Sequence, residues 1–187
     1  MKKNIARVFL VIGLILIAAS LIFKFNSKTE EYKSKKEFKE RIKKFEENKE
    51  GEEDIKLSNS QLALIDIPSL KISSVISDGV EDEVIKYYVG HFKETAYLGQ
   101  NGNFCVAGHS SNIYSEVFNN LEDINLGDSI EIRTISQKYI YKVSDKFKVS
   151  PKDVQVLEQD ISKKEMTIVT CTKDGSERFI VKANLQE

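Results

Sequence analysis

Asp174-Gly175 stands between two apolar, β-branched runs, Thr167-Ile-Val-Thr-Cys171 and Arg178-Phe-Ile-Val181. Asp-Gly in that setting is a strong hairpin signal, because a type I′ turn requires positive φ at both central residues. With Asp174 and Gly175 at the centre of a two-residue loop, the register follows. Lys173 faces Ser176, Thr172 faces Glu177, and Cys171 faces Arg178. Opposed residues share one side of a sheet, with Cβ atoms roughly 5 Å apart. The sequence thus sets a thiol beside a permanent cation. A nearby positive charge favours the thiolate, which is the nucleophile. A guanidinium can also donate hydrogen bonds to a developing oxyanion. A three-residue loop would shift the register and break the pairing.

The chain upstream continues in the same style. Ala63–Ile67 before Pro68, and Lys71–Ile76 before Asp78-Gly79, read as the first two strands. Val84–Phe92 is mixed and has room for a helical turn. Phe104–Ala107 is a strand ending at Gly108-His109, and Ser111–Leu121 carries the spacing of a short helix. Ser129–Ile135 alternates and pairs with Lys138–Val143 through Ser136-Gln137. Phe147–Val149 runs to Pro151, and a loop or helical turn follows through Leu157. About eight short strands with turn-rich spacing predict a mainly β fold, either a closed barrel or a sandwich.

The N-terminal end has a different character. Val8 to Phe23 contains no charge and is flanked by Lys2, Lys3 and Arg7 on one side and Lys24 on the other. Those 16 residues make about 24 Å of helix, which is workable as a span when flanking basic side chains snorkel. Residues 1–25 are therefore expected to be an uncleaved transmembrane anchor, the alternative being a cleaved signal peptide. Lys2, Lys3 and Arg7 place the N-terminus inside and the remainder outside the cell. Residues 26–59 are rich in Lys and Glu, with Phe38, Ile42 and Phe45 at helical spacing. They read as a solvated, charged helical stalk, with docking on the globular domain or on a partner as the alternative. Residues 60–187 form one globular domain. The net charge of −1 and the lack of a basic patch with interleaved aromatics argue against nucleic acid as a partner.

Chemistry-bearing residues are few. The two cysteines are Cys105, inside an apolar strand pattern where a thiol acts as a small hydrophobe, and Cys171. A disulfide between them is possible outside the cell but would silence a nucleophile at Cys171. Of the two histidines, His91 lies among large apolar neighbours in Tyr88-Val-Gly-His-Phe92, as a structural residue does. His109 follows a strand end beside glycine in Ala107-Gly-His109, where a side chain can be presented to a cleft. Taken singly, each of Cys171, His109 and Arg178 could be an inert structural residue. Their joint placement behind an anchor points to nucleophilic catalysis by Cys171 with His109 as its proton partner.

Four segments resemble the sortase family, membrane-anchored cysteine transpeptidases of Gram-positive bacteria. They are Ile67–Ile72 through Asp78-Gly79; Gly90–Ala96 followed by Gly99–Asn103; Ala107-Gly-His109; and Thr167–Cys171 with Arg178 downstream. The resemblance covers about residues 62–185. It implies a closed eight-stranded β-barrel with short helices. It also implies a catalytic set of His109, Cys171 and Arg178. Cys171 would cleave an LPxTG-like sorting signal between Thr and Gly and pass the thioacyl group to an amine, usually on a peptidoglycan precursor. Partners would then be surface proteins carrying sorting signals, the wall precursor and the membrane. Ser110 and Leu98 stand where many members have a basic residue and Pro. The short stretch from Val149 to Met166 argues against class B, and the lack of an Asp-Pro-aromatic lid argues against a pilus-assembling sortase. The short Cys171–Arg178 spacing and Thr172 are most similar to class D. No cofactor or metal is expected. Some members bind calcium, but Glu81, Asp82 and Glu83 read better as a solvated acidic turn. The alternatives are a membrane-tethered, non-catalytic barrel that binds peptide or wall polymer, and a pilus-assembling sortase that takes a lysine ε-amine as acceptor.

Overall fold

The computed structural model describes residues 2–47, 61–110 and 117–186. Eight strands close into a barrel: β1 (Gln61–Ile67), β2 (Ile72–Asp78), β3 (Val89–His91), β4 (Gly102–Ala107), β5 (Ser129–Arg133), β6 (Lys138–Val149), β7 (Lys164–Cys171) and β8 (Arg178–Leu185). Their order around the barrel is β1-β2-β3-β4-β7-β8-β6-β5. The predicted barrel is therefore present, and the sandwich alternative is not. Two pairings, β2–β3 and β4–β7, are parallel; the rest are antiparallel. Alternating residues fill the interior, among them Ile65, Ile67, Phe104, Val106, Ile132 and Ile168. Pro68 ends β1 because it has no N–H to give the ladder. It opens a short 3₁₀ turn, Pro68–Leu70, and Lys71 at φ 55° reverses the chain into β2.

Three expectations are corrected. The β7–β8 connection is not a type I′ turn, since Lys71 is the one non-glycine residue at positive φ among the described residues. Asp174 keeps negative φ, and its carboxylate instead accepts from the Thr172 hydroxyl (2.7 Å) and from the Ser176 amide (3.1 Å) and hydroxyl (2.8 Å). Gly175 N–H donates to the Thr172 carbonyl at 2.8 Å, and Thr172 N–H to the Glu177 carbonyl at 3.1 Å. The loop is thus four residues long, Lys173 to Ser176. Four and two residues have the same parity, so the Cys171–Arg178 pairing survives. The helix expected over 111–121 is not formed in its described part: 117–120 are turns, and Leu121–Asp123 is a 3₁₀ turn. Residues 111–116, including Ile113, lie outside the described residues.

The charged stalk is the third correction. One helix, α1 (Lys2–Glu46), runs from the apolar segment into the charged one. It is not a solvated face throughout, because its second half docks on the barrel. Phe38 and Ile42 are buried against Leu64 of β1 and Val75 of β2, with Tyr88 and Ile135 alongside. Ser34 hydrogen-bonds the Tyr88 hydroxyl at 2.9 Å, Lys35 Nζ donates to the Ser73 carbonyl at 3.1 Å, and Glu46 pairs with Arg133. Spacing of i, i+4, i+8 places Ser34, Phe38 and Ile42 on one stripe, and apolar removal from water outweighs solvation of the flanking charges there. The rest of the expected stalk, 48–59, lies outside the described residues. Among the described residues no helix is long and apolar enough to cross a membrane.

Phe38→Ala should cost about 3 kcal/mol at the docking seam. Amide exchange checks this: protection should fall across residues 34–46 while β4 and β7 remain protected.

Candidate active site

The site is built by the parallel pairing of β4 and β7. Their register sets Phe104 beside Met166, Val106 beside Ile168, and Ala107 beside Val169. The ladder persists past the end of β4. Gly108 N–H donates to the Val169 carbonyl (3.2 Å), and Thr170 Oγ1 donates to the Gly108 carbonyl (2.8 Å). Extended two residues past its last pair, the same register puts His109 level with Cys171. The antiparallel β7–β8 ladder then sets Arg178 opposite Cys171. Phe104, Val106, Met166, Ile168 and Phe179 fill the barrel, so by alternation Cys171 and Arg178 belong to its outer wall. By strand direction, the three residues named from the sequence lie toward one end of the barrel, after β4, at the end of β7 and at the start of β8.

His109 is held from both sides. The Phe118 N–H donates to its carbonyl at 3.2 Å. A Cβ at position 108 would meet the Phe118 ring at 2.7 Å, so only glycine lets the Val117-Phe118 turn lie over the strand end. His109 lines a cavity of about 290 Å³ with Asp82 and Glu83 of the short helix α2 (Asp82–Ile85) and with Lys86, the residue that caps it. Burial lowers the His109 pKa from 6.5, because desolvation disfavours the cation; the Asp82 carboxylate opposes that shift. Arg178 and Cys171 are half-buried, and an Arg178 N–H donates to the Glu177 carbonyl at 3.4 Å.

The second cysteine and the second histidine occupy structural positions. Cys105 is fully buried on the outer face of β4, and burial pushes its thiol up to about 11. Its S–H donates to the Asn103 carbonyl at 3.4 Å. Both cysteines are free thiols. His91 is fully buried and stacks on Phe104, with ring centroids 4.8 Å apart. Its Nδ1 faces Asp78 Oδ1 at 3.0 Å, and its Nε2 faces the Ala96 carbonyl at 3.1 Å. This network secures the β3–β4 connection.

A supporting layer was not legible in the sequence. The Gln159 side chain accepts from the Asn103 amide (2.9 Å) and the Ala96 amide (3.2 Å), and donates to the Asn103 carbonyl (3.0 Å). Asn103 Nδ2 donates to the Val156 and Glu158 carbonyls, and Lys182 Nζ reaches Val156 O at 2.7 Å. These bonds strap the β6–β7 connection over β4. Thr167 Oγ1 donates to Asn103 Oδ1 at 2.7 Å, so both threonines of the Thr167-x-x-Thr170-Cys171 motif hold β7 to β4. The motif's spacing was the available signal; Asn103 and Gln159 carried none. Of the acidic trio, Glu81 is paired with Lys93 at 3.0 Å. Among the described residues no group of three His, Cys, Asp or Glu side chains is placed to hold a metal ion.

Fold and site define a closed β-barrel protein with a half-buried thiol paired across a ladder with an arginine. The sortase domain model matches residues 65–186, and the chain belongs to the sortase family. It is 30% identical over 128 residues to Sortase A of Streptococcus agalactiae serotype III (strain NEM316), covering 66% of this chain and 52% of that protein. It is 28% identical over 123 residues to Sortase A of Bacillus anthracis, covering 65% and 58%. The chain thus spans little more than half the length of these relatives. Among solved structures, a Clostridium perfringens Sortase D5 transpeptidase superposes with a TM-score of 0.71 at 39% identity, covering 84% of this chain and 98% of that one.

Two outcomes are expected. In the native protein a thiol-alkylating reagent should modify Cys171 and spare Cys105, which mass spectrometry of tryptic peptides reads. The His109 imidazole should titrate below 6.5 by NMR, and Asp82→Asn should lower the midpoint further. The sign follows from linkage: a folded pKa below the unfolded value means stability is lost as pH falls from 6.5 through the folded midpoint.

Proposed function

We propose that the protein is a class D-like sortase: a cysteine transpeptidase that cleaves an LPxTG-like sorting signal between Thr and Gly and transfers the acyl part to an amine. The observation that carries this reading is the pairing of Cys171 with Arg178 at the end of β7, on the strand that runs parallel to the one leading into His109. The 39% identity to the Sortase D5 transpeptidase supports the class, as does the short Cys171–Arg178 spacing.

The chemistry follows from the groups present. The Cys171 thiolate attacks the threonyl carbonyl carbon, and the proton lost by the thiol rests on His109. The negative charge that develops on the carbonyl oxygen is met by Arg178, whose planar fork offers two N–H donors. The C–N bond to glycine then breaks, and His109 gives its proton to the departing amine. The threonyl group is left on Cys171 as a thioester. An acceptor amine loses a proton to His109, attacks the thioester carbon, and the S–C bond breaks to return the thiolate. Partial burial of His109 keeps proton transfer within the pair. No step calls for a cofactor.

The proposed setting is the outer side of a cell membrane, with residues 1–25 as anchor, part of 26–59 as a docked strut and 60–187 as the catalytic domain. Phe9, Leu10, Ile12, Leu14, Ile15, Leu16, Ile17, Leu21 and Ile22 point out all round α1 and are exposed. Contiguous apolar surface of that kind marks contact with a membrane or protein partner, and basic residues 2, 3 and 7 favour an inside N-terminus. Partners would be sorting-signal proteins and the amine of a cell-wall precursor.

The test is a quenched peptide containing Leu-Pro-x-Thr-Gly, with and without an added amine. Cleavage between Thr and Gly with an amine-linked product is expected, and Cys171→Ala should abolish it. Arg178→Lys should lower kcat about 10²–10³-fold, since a point charge lacks the fork. No cleavage across a panel of x residues, or near-normal rates in both variants, would remove the proposal.

A further inference from the structure

The geometry points to a catalytic end that faces the lipid bilayer, held there by α1 across a gap of roughly 10–20 Å; this rests on the anchor reading above. The direction of each strand fixes which residues share an end. β1 runs toward Ile67, where it meets Ile72 at the start of β2. β2 and β3 run away from that end in parallel, and β4 returns to it, reaching Ala107 opposite Gly90. β7 runs with β4 and reaches Cys171, while β8 begins there at Arg178. The Pro68–Leu70 turn, His109, Cys171 and Arg178 therefore lie at one end. Gly102, Lys164 and Leu185 lie at the other.

Helix α1 crosses the barrel wall from the first end to the second. Lys28, Tyr32 and Lys35 border Leu70, Ser73 and Asn120 at the catalytic end, around a crevice of about 450 Å³. Phe38 and Ile42 meet Leu64 and Val75 midway. Glu46 pairs with Arg133, which lies toward the far end. The exposed apolar stretch ending at Ile22 is thus carried beyond the catalytic end, on the same continuous helix. From Ile22 to Lys28 is about 9 Å of helix, and to Lys35 about 20 Å. A lipid surface at Ile22 comes up against the end that holds Cys171, and the far end is separated from it by the length of β7, roughly 25 Å. The partner of this face is the bilayer itself, and the site is built to meet acyl donors and amines presented at the lipid surface.

Energy transfer tests this in the full chain, reconstituted in phosphatidylcholine vesicles that carry acceptor-labelled headgroups. One preparation is labelled at Cys171, Cys105 being buried. A second carries Ser162→Cys for labelling at the far end, in a Cys171→Ser background. Stronger transfer from position 171 than from position 162 is expected. A four-glycine insertion after Ser27 should equalise the two signals. Equal or reversed transfer without the insertion overturns the inference and leaves the catalytic reading intact. Failure of the chain to float with vesicles overturns it together with the anchor reading. Cleavage of the soluble peptide tests the chemistry independently.

Discussion

The parallel ladder between β4 and β7 is the constraint on which the site depends. Parallel neighbours cannot be joined by a tight turn and need a crossover. Here that crossover contains β5 and β6, two strands of the same barrel. The paired strands run in the same direction and end together. His109 and Cys171, 62 residues apart in sequence, each stand two residues past the Ala107–Val169 pair. The Thr170 hydroxyl on the Gly108 carbonyl fixes the last step of that register from inside the wall. A slip of one residue would turn Cys171 into the barrel, since side chains alternate with a period of two.

The same outer face also explains how one chain holds two cysteines of opposite character. Cys105 and Cys171 both point away from the core on strands that lie side by side. The β6–β7 connection, strapped by Gln159, Asn103 and Lys182, covers the lower part of that face. It stops short of the strand ends. Cys105 lies under the cover, its thiolate opposed by desolvation. Cys171 lies past it, with a cation across the ladder. The histidines divide in the same way: His91 is locked between Asp78 and Ala96, and His109 opens on a cavity.

Much of this was legible in the sequence because it depends on period and parity. Alternation gave the strands, and the Cys171–Arg178 pairing followed from an even loop length even though the turn type differed. Asp174 took the role of an acceptor for Thr172 and Ser176, a choice that Asp-Gly alone does not reveal. His109 and Cys171 could be named, but their adjacency could not be deduced without the family resemblance, because it belongs to a non-local pairing. The straps from Gln159 and Asn103 were illegible for the same reason: an amide finds its partners only after the loops have been laid over the wall. The helix expected over 111–121 fails in its described part, 117–121, because Val117, Phe118 and Leu121 have helical spacing but are buried by a turn folding over Gly108.

The docked helix shows where a local reading has least purchase. Three large apolar residues in a run of Lys and Glu give a weak stripe, and a solvated helix is a reasonable reading of it. What changes the balance is the receiving surface, Leu64 and Val75, which project outward from β1 and β2 while their neighbours Ile65 and Ile76 fill the barrel. Strands in a barrel with alternating faces should be polar outside. An apolar pair on the outer face of two adjacent strands is a demand for cover, visible in the consecutive apolar residues Leu64-Ile65 and Val75-Ile76, where a half-exposed sheet would alternate. The stripe on the helix and the patch on the sheet are each ambiguous alone. Together they fix the path of α1 along the barrel.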